Sequence, residues 1–392
     1  MERTYNAFVD NGLYAAGYYL HKEIQDITID DLKNNIKMFS DIIGDYIRVP
    51  KHASVAWSGF TNSSFTTQLK EDKKDSKINN KKIYEQFKEL LDNIGTEPCS
   101  ICGHENGNLD ITATRSLLPG ISSNTFFNYS NNLQATTICP VCLFLSLLSI
   151  LNMRKNQNTL LYNSDNDLLM KNYTEMLQNE LKDDIKNNSE KEKKKISNYQ
   201  HFENTLKYLT NQDTKYKGYI VQVAFDNLGQ KEEYHENYIS AKELNLLYIL
   251  KNNNLLNEFF DLGFTTILIN NHGRNEYIYK LITKENTLKC SKDLFIIIDR
   301  EMNSVDQETT ELIANICQKL STINQKNEID ALKKIRLHSQ YEDLILKWQE
   351  AYKKATSENL FDSLEDYEKL VNPKKWISIR RRLISQFIII YN

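Results

Sequence analysis

No stretch of this 392-residue chain approaches the about 18 consecutive apolar residues that a membrane-spanning helix needs. The longest apolar run, Val141–Leu151, is too short and is broken by serines. The opening residues, MERTYNAFVDNG, hold no continuous apolar segment of the kind a signal peptide requires. Neither sign of charge is in excess: 49 Lys and Arg face 52 Asp and Glu, for a net charge of -3. A protein that binds nucleic acid alone and non-specifically is basic overall, so binding here would need local patches or partners that supply the positive charge. The chain has no Walker A loop, no H-E-x-x-H, no G-x-S-x-G and no repeat of fixed period, and its seven histidines fall in no catalytic constellation. These absences predict a soluble, cytoplasmic protein without a membrane partner. The 40% hydrophobic content is enough for real cores, and the length predicts two or three domains.

Cysteine is scarce, yet four of the six cysteines fall in two identical pairs, Cys99-x-x-Cys102 and Cys139-x-x-Cys142. Two residues between thiolates let both sulfurs of a turn reach one tetrahedral ion about 2.3 Å away, and two such turns complete a four-sulfur set with no open position. Disulfides closing loops of this size stabilise by roughly 3–5 kcal/mol and need an oxidising compartment. A structural zinc contributes roughly 10–16 kcal/mol and persists where thiols stay reduced. The pattern therefore predicts one structural zinc ion on Cys99, Cys102, Cys139 and Cys142, with redox thiols as the weaker alternative. The 36 residues between the pairs form a larger excursion than the commonest zinc ribbon allows. Gly103 suits the tight turn after the first pair, and Pro140 suits the first turn of a helix after the second. His104 reads as a solvated loop residue, and Cys290 and Cys317 as buried apolar residues.

Along the chain, Asp10-Asn11-Gly12 reads as a turn before an apolar helix, and DDLKNNIKMFSDII as a second helix. Tyr46–Val49 and Val55–Trp57 read as short strands, SGFTNSSF as a small-polar loop, Lys70–Lys82 as solvated chain, and Ile83–Leu91 as an amphipathic helix. VCLFLSLLSILNM is apolar on all faces and predicts a buried central helix. Residues 154–215 are expected to be a polar connecting segment. KGYIVQVAFDN, FTTILINN, NEYIYKLI and KDLFIIIDR read as strands, interleaved with a helical LNLLYILKNNNLLNEFF. After Ser304 helices dominate, including IDALKKIRLHSQYEDLILKWQEAYKKA and a basic amphipathic KKWISIRRRLISQFIIIYN, whose apolar end packs into its own bundle or onto another chain. The fold class is α+β: a mixed N-terminal α/β domain (1–153) with an inserted four-cysteine zinc ribbon at about 95–145, the connector 154–215, a mixed α+β region (216–303) packing with the N-terminal domain, and a C-terminal helical bundle (304–392).

FVDNGLYAAGYYL, the two cysteine pairs, the intervening SLLPGISSNTFFNYS and the apolar helix beginning at Cys142 together resemble the CXXC–CXXC large subunits of the type I CRISPR surveillance complex (Cascade), subtypes I-A and I-B. The resemblance covers about the first 150 residues by motif and the rest by architecture; the chain is short for that family. It implies a non-enzymatic role in antiviral defence. Such a subunit caps the crRNA-bearing filament near the 5′ handle, beside backbone, handle-binding and small helical subunits. It reads the protospacer-adjacent motif in duplex DNA, aids strand separation and presents a platform to the helicase-nuclease. Guide pairing then supplies most of the sequence specificity. The family's helical part is sometimes also made as a separate small subunit, for which Met302 is a conceivable internal start.

For DNA contact the sequence offers Asn62, Ser63 and Ser64, small polar groups able to reach base edges, with Lys51 and His52 just before them. An ordinary turn is the plainer reading of that loop. Asn124, beside the wedge candidates Phe126 and Phe127, is a second choice, set against a patch closing over the zinc lobe. Arg380, Arg381 and Arg382, with Lys374 and Lys375, can track phosphates if they are not simply a solvated helix face. Asp299 and Glu301, read as following an apolar strand, are the ligands for the rival reading, a metal-dependent nuclease carrying a zinc ribbon.

Overall fold

The structure is a computed structural model that describes residues 1–49, 52, 55, 80–112, 137–187, 196–212, 215–227, 232–263, 268, 280–302, 305–323 and 327–392. It is a mixed α/β, mainly helical chain with two small sheets among the described residues, dividing into units Met1–Leu244 and Asn245–Asn392. None of its described helices is long and apolar enough to cross a membrane.

The first unit is built around α1 (Ala7–Leu20), whose residues Phe8 to Gly17 are all buried. Asn6 caps it by accepting from Phe8 N and Val9 N. Two more helices follow, α2 (Ile29–Asn34), with a capping box from Thr28 and Asp31, and α3 (Ile36–Arg48). Then come α4 (Asn80–Asp92) and a three-stranded antiparallel sheet of β1 (Glu97–Pro98), β2 (Glu105–Thr112) and β3 (Thr137–Ile138). Helix α5 (Pro140–Leu148) is buried at every position, as its unbroken apolar sequence predicts. A second antiparallel sheet runs in the order β4 (Arg154–Lys155), β5 (Thr159–Ser164), β6 (Ile220–Asn227), β7 (Glu232–Ile239), with α6 (Asp167–Asn187) and α7 (Asn198–Asn211) between β5 and β6.

Asp10-Asn11-Gly12 is no turn; all three lie inside α1, Asp10 holding the chain just before the helix and Asn11 and Gly12 meeting distant elements. Asp10 accepts from Thr4 N (2.8 Å), Thr4 Oγ1 (2.9 Å) and Tyr5 N (3.1 Å), tying down the incoming chain. Asn11 donates to Tyr162 O (2.8 Å) and accepts from Asn152, which also donates to Thr174 Oγ1 (2.8 Å). Gln178 completes the ladder by donating to Asn152 Oδ1 (3.0 Å). Every member is partnered, so this buried network links α1, β5 and α6 without an orphaned polar group. Gly12 faces α5 so closely that a Cβ would lie 1.7 Å from the Leu145 carbonyl oxygen. Gly12→Ala should therefore cost about 3 kcal/mol despite alanine's better helix propensity, because two packed backbones must part. Urea unfolding checks this, and an unchanged midpoint would mean that α1 and α5 do not cross there.

Other readings also change. Tyr46–Arg48 is helix rather than strand: the stripe Ile36, Phe39, Ile43 continues through Tyr46 and Ile47 at helical spacing, and all five are buried. Val55 is helical too, and the remainder of that second strand lies outside the described residues. Residues 154–215 do not simply connect. β5 is buried throughout and hydrogen-bonded to β6, and α6 buries Leu169, Met170, Tyr173, Leu177 and Leu181. Its apolar residues are spaced three and four apart among Asn, Lys and Glu, which conceals them in a composition average. Most of FTTILINN and NEYIYKLI lies outside the described residues.

The division between units falls within helix α8 (Ala241–Asn252), which is followed by α9 (Leu256–Asp261). KDLFIIIDR is not a strand but helix α10 (Lys292–Met302). Leu294, Phe295, Ile297 and Ile298 are buried at helical spacing, and Ser291 Oγ accepts from Leu294 N (3.3 Å), so cap and packing outweigh the strand preference of three isoleucines. The unit continues with α11 (Gln307–Thr322), α12 (Glu328–Lys334), α13 (His338–Thr356), α14 (Leu364–Leu370) and α15 (Trp376–Tyr391). The long stripe from Ile329 to Tyr352 is thus two helices, parted at Ile335–Leu337. α15 buries Ile379, Leu383, Ile384, Phe387 and Ile388 against α10, α11, α12 and α13, so the apolar end packs within its own unit. Cys317 is buried as expected, whereas Cys290 is half-buried.

Candidate metal centre

The two cysteine pairs meet. Cys99 lies just after β1, where the chain turns through Gly103 at φ +74°, a conformation that favours glycine. Gly103 N donates to Cys99 O (2.8 Å) and Cys99 N to His104 O (2.9 Å), closing the first knuckle. Cys139 is the N-cap of α5, with Pro140 as the first helical residue. Ser100 N donates to Thr137 O (3.0 Å), joining one knuckle to the other. The residues between the pairs are therefore an insertion whose ends the sheet brings together.

All four sulfurs lie within 4.8 Å of one another. Cys99 Sγ is 3.9 Å from Cys142 Sγ, and Cys102 Sγ is 3.8 Å from Cys139 Sγ. A disulfide needs about 2.05 Å, so no pair is bonded. A tetrahedral ion at about 2.3 Å from each thiolate places sulfurs about 3.8 Å apart, which the closest pairs match. Backbone amides point at the sulfurs: Ile101 N and Cys139 N at Cys99 Sγ (3.4 and 3.2 Å), and Cys142 N at Cys139 Sγ (3.3 Å). These donors favour thiolates, as does the N-terminal end of α5.

Electrostatics makes the same point. Hydrogen bonds from Cys102, Cys139 and Cys142 hold the Cys99 thiol well below its usual range, and those from Cys139 and Cys142 hold Cys102 down to about 6. Cys139 and Cys142 are pushed up, chiefly by Cys102. Four negative charges in so small a volume repel, so without a cation the last protons stay on. A divalent cation removes that obstacle. Cys99, Cys139 and Cys142 are buried and Cys102 is half-buried. The arrangement fits one metal ion enclosed by sulfur, with no position left for water or substrate. His104 is exposed and outside the set. Among the described residues no other group of three or more His, Cys, Asp or Glu side chains is placed to hold an ion.

The remaining candidates separate. Lys51, Asn62, Ser63, Ser64, Asn124, Phe126 and Phe127 lie outside the described residues. His52 is buried, its Nε2 2.9 Å from Asp184 Oδ2 and its ring 4.7 Å from that of Tyr46, so it belongs to the core rather than to a DNA-facing surface. Arg380 is buried, donates to Ile335 O and lies 5.3 Å over the Trp376 ring. Arg382 is paired with the buried carboxylate of Asp299, and Arg381 is half-buried, with its Nε out of reach of solvent. The basic run is therefore not one phosphate-tracking face. Asp299 and Glu301 do not follow a strand. Both lie on α10, and two residues of helix turn side chains about 200° apart, so they cannot share an ion. Asp299 holds Arg382, while Glu301 accepts from Arg300 Nε at 2.8 Å. Sequence reasoning missed the Asp299–Arg382 pair because its partners are 83 residues apart. No known protein family, curated protein or solved structure matches the chain.

Proposed function

We propose that the chain is the non-catalytic large subunit of a crRNA-guided CRISPR surveillance complex, held together by one structural zinc ion and ending in a helical bundle. It recognises the protospacer-adjacent motif in duplex DNA, aids R-loop formation and recruits the helicase-nuclease. The carrying observation is the sulfur cluster, a closed four-thiolate site at the N-terminus of the fully buried α5, packed on α1. An ion so enclosed stabilises and does not catalyse. Two of the segments on which the resemblance rests, FVDNGLYAAGYYL and the apolar helix from Cys142, belong to the two helices that cross at Gly12, which supports their forming one packed scaffold. Thiolate ligation implies a reducing, cytoplasmic setting. The near-neutral net charge suits a subunit whose partners hold the RNA.

The test is reconstitution. The tagged chain, expressed with a guide array and the adjoining complex genes, should co-purify guide RNA and a repeated backbone subunit. Isolation without either would end this reading. In the assembled complex, alanine at Asn62, Ser63 and Ser64 should lower discrimination between flanking motifs about ten- to a hundredfold, since a lost base contact is worth about 1–3 kcal/mol. Filter binding against a motif panel measures this, and unchanged preference would clear that loop of direct readout.

A further inference from the structure

Glu328, the first residue of α12, is 2% exposed, and neither of its carboxyl oxygens has a hydrogen-bond partner. A carboxyl group so placed is costly when charged and tolerable when neutral. The ionisable groups beside it are Cys317 of α11 and Tyr391 in the last turn of α15. Both are weak acids, pushed up by burial first and by Glu328 next, Tyr391 to about 12. Neither can supply a compensating positive charge. The charges on α12 itself are engaged elsewhere: Asp330 accepts from Asn286 Nδ2 (3.1 Å), and Lys333 donates to Asn286 Oδ1. Asn286 lies in the turn 283–287, closed by Thr283 N donating to Thr287 O (2.8 Å), and its carbonyl accepts from Asn392 Nδ2 (3.1 Å) at the end of α15. This uncharged asparagine therefore clasps α12 to the end of α15, with Glu328 one helical turn or less from the clasp. At the other end of α12, Arg380 donates to Ile335 O, so the two helices run antiparallel.

We propose that Glu328 makes the docking of α12 on α15 pH-sensitive: with its proton on, the carboxyl rests neutral among α11, α12 and α15, and on losing the proton it draws the start of α12 out to water and opens the clasp at Asn286. Burial pushes the carboxyl up to about 7 from its ordinary 4.5, outweighing the pull of its own backbone amide in the other direction. The group therefore changes charge near neutrality. The folded protein binds this proton more tightly than the unfolded chain does. Stability is thus greatest below the ordinary carboxyl range, declines as pH rises towards about 7 and stays low above it. The device lies wholly within the second unit and does not depend on the metal centre or on the CRISPR reading.

The experiment compares the full chain with Glu328→Gln, which keeps the shape of the side chain and cannot ionise. Urea unfolding from about pH 5 to about pH 8 is followed by fluorescence, to which Trp348 and Trp376 of the second unit contribute. Across that range the folded-to-unfolded ratio of the wild type should fall roughly fiftyfold relative to Glu328→Gln. Groups that titrate in both proteins cancel in the comparison. Hydrogen exchange, corrected for the pH dependence of exchange itself, gives the local readout. The amides of Ala331 and Ile335, bonded to Asn327 O (2.9 Å) and Leu332 O (3.4 Å), should lose protection at the higher pH in the wild type only. Glu328→Leu should fold and be equally indifferent to pH, because the neutral carboxyl makes no hydrogen bond that leucine lacks. Parallel pH curves for wild type and Glu328→Gln would overturn the proposal, as would equal loss of protection in both. Failure of both variants to fold at about pH 5 would overturn it too, since it would give the carboxyl a structural role that a neutral side chain cannot fill.

Discussion

Stripping the zinc ion proposed for the cysteine cluster, or replacing Cys139 by serine, should unfold the first unit rather than merely loosen a loop. Zinc held by four thiolates contributes roughly 10–16 kcal/mol of apparent binding free energy, as much as or more than the whole net stability of a typical domain, about 5–15 kcal/mol. The effect spreads because of where the ligands sit. Cys139 caps α5, whose nine residues are all buried, and α5 meets α1 at Gly12 with no room for even a methyl group. Without an ion the sulfurs must hold protons to stay together and are no longer tied to one centre, which frees the N-terminus of α5 and exposes that crossing. A loss of even about 5 kcal/mol lowers the melting temperature by roughly 10–20 °C in a domain of this size. Metal analysis should find one zinc per chain. Thermal melts with and without chelator should show the shift, and Cys317→Ser, outside the cluster, should keep the metal. Full thermal stability after complete metal removal, or four freely titrating thiols in the purified protein, would remove the metal centre from this account.

The second large effect lies in the other unit. Asp299→Ala should destabilise it by about 3–5 kcal/mol, because it strands the Arg382 guanidinium among apolar side chains. Asp299 is 1% exposed and Arg382 13%, so water screens the pair little. Asp299→Asn should cost less, since the amide oxygen still accepts a hydrogen bond. Asp299→Leu with Arg382→Met should recover most of the loss, as buried ion pairs replaced by apolar residues are often close to neutral. Urea unfolding of the four proteins measures this cycle. It also decides the nuclease alternative: if Asp299 serves only structure, Asp299→Asn folds normally and leaves any DNA or RNA cleavage in Mg²⁺ or Mn²⁺ unchanged. Cleavage abolished by Asp299→Asn at near-native stability would return the residue to a metal-binding role.

How far the sequence could be read depended on whether a feature had a local cause. The cysteine spacing was decisive because two thiolates and a turn are a local object, and the structure brings the two pairs within 4.8 Å. α5 was legible because only a buried helix tolerates apolar residues on every face. The stripe Ile36, Phe39, Ile43 was equally plain, but the strand expected from Tyr46 passed over its continuation through Tyr46 and Ile47. KDLFIIIDR misled because β-branched residues favour strands locally, a preference that burial and a serine cap outweigh. The basic run at 380–382 misled because composition shows charge and not direction: Arg380 turns into the core and Arg382 onto a carboxylate 83 residues away.

By itself the sequence determined the matching cysteine pairs, the central apolar helix and the predominance of helix after Ser304, since each follows from spacing along the chain. Only the tertiary structure decided the rest. It put Asp10-Asn11-Gly12 inside a helix, where Asp10 ties down the incoming chain, Asn11 joins a polar ladder and Gly12 makes a backbone crossing. It drew residues 154–215 into the core by pairing β5 with β6. The reason is that local signals report what a few neighbouring residues prefer, whereas sheet pairing, polar ladders and backbone crossings are set by residues tens to more than a hundred positions away.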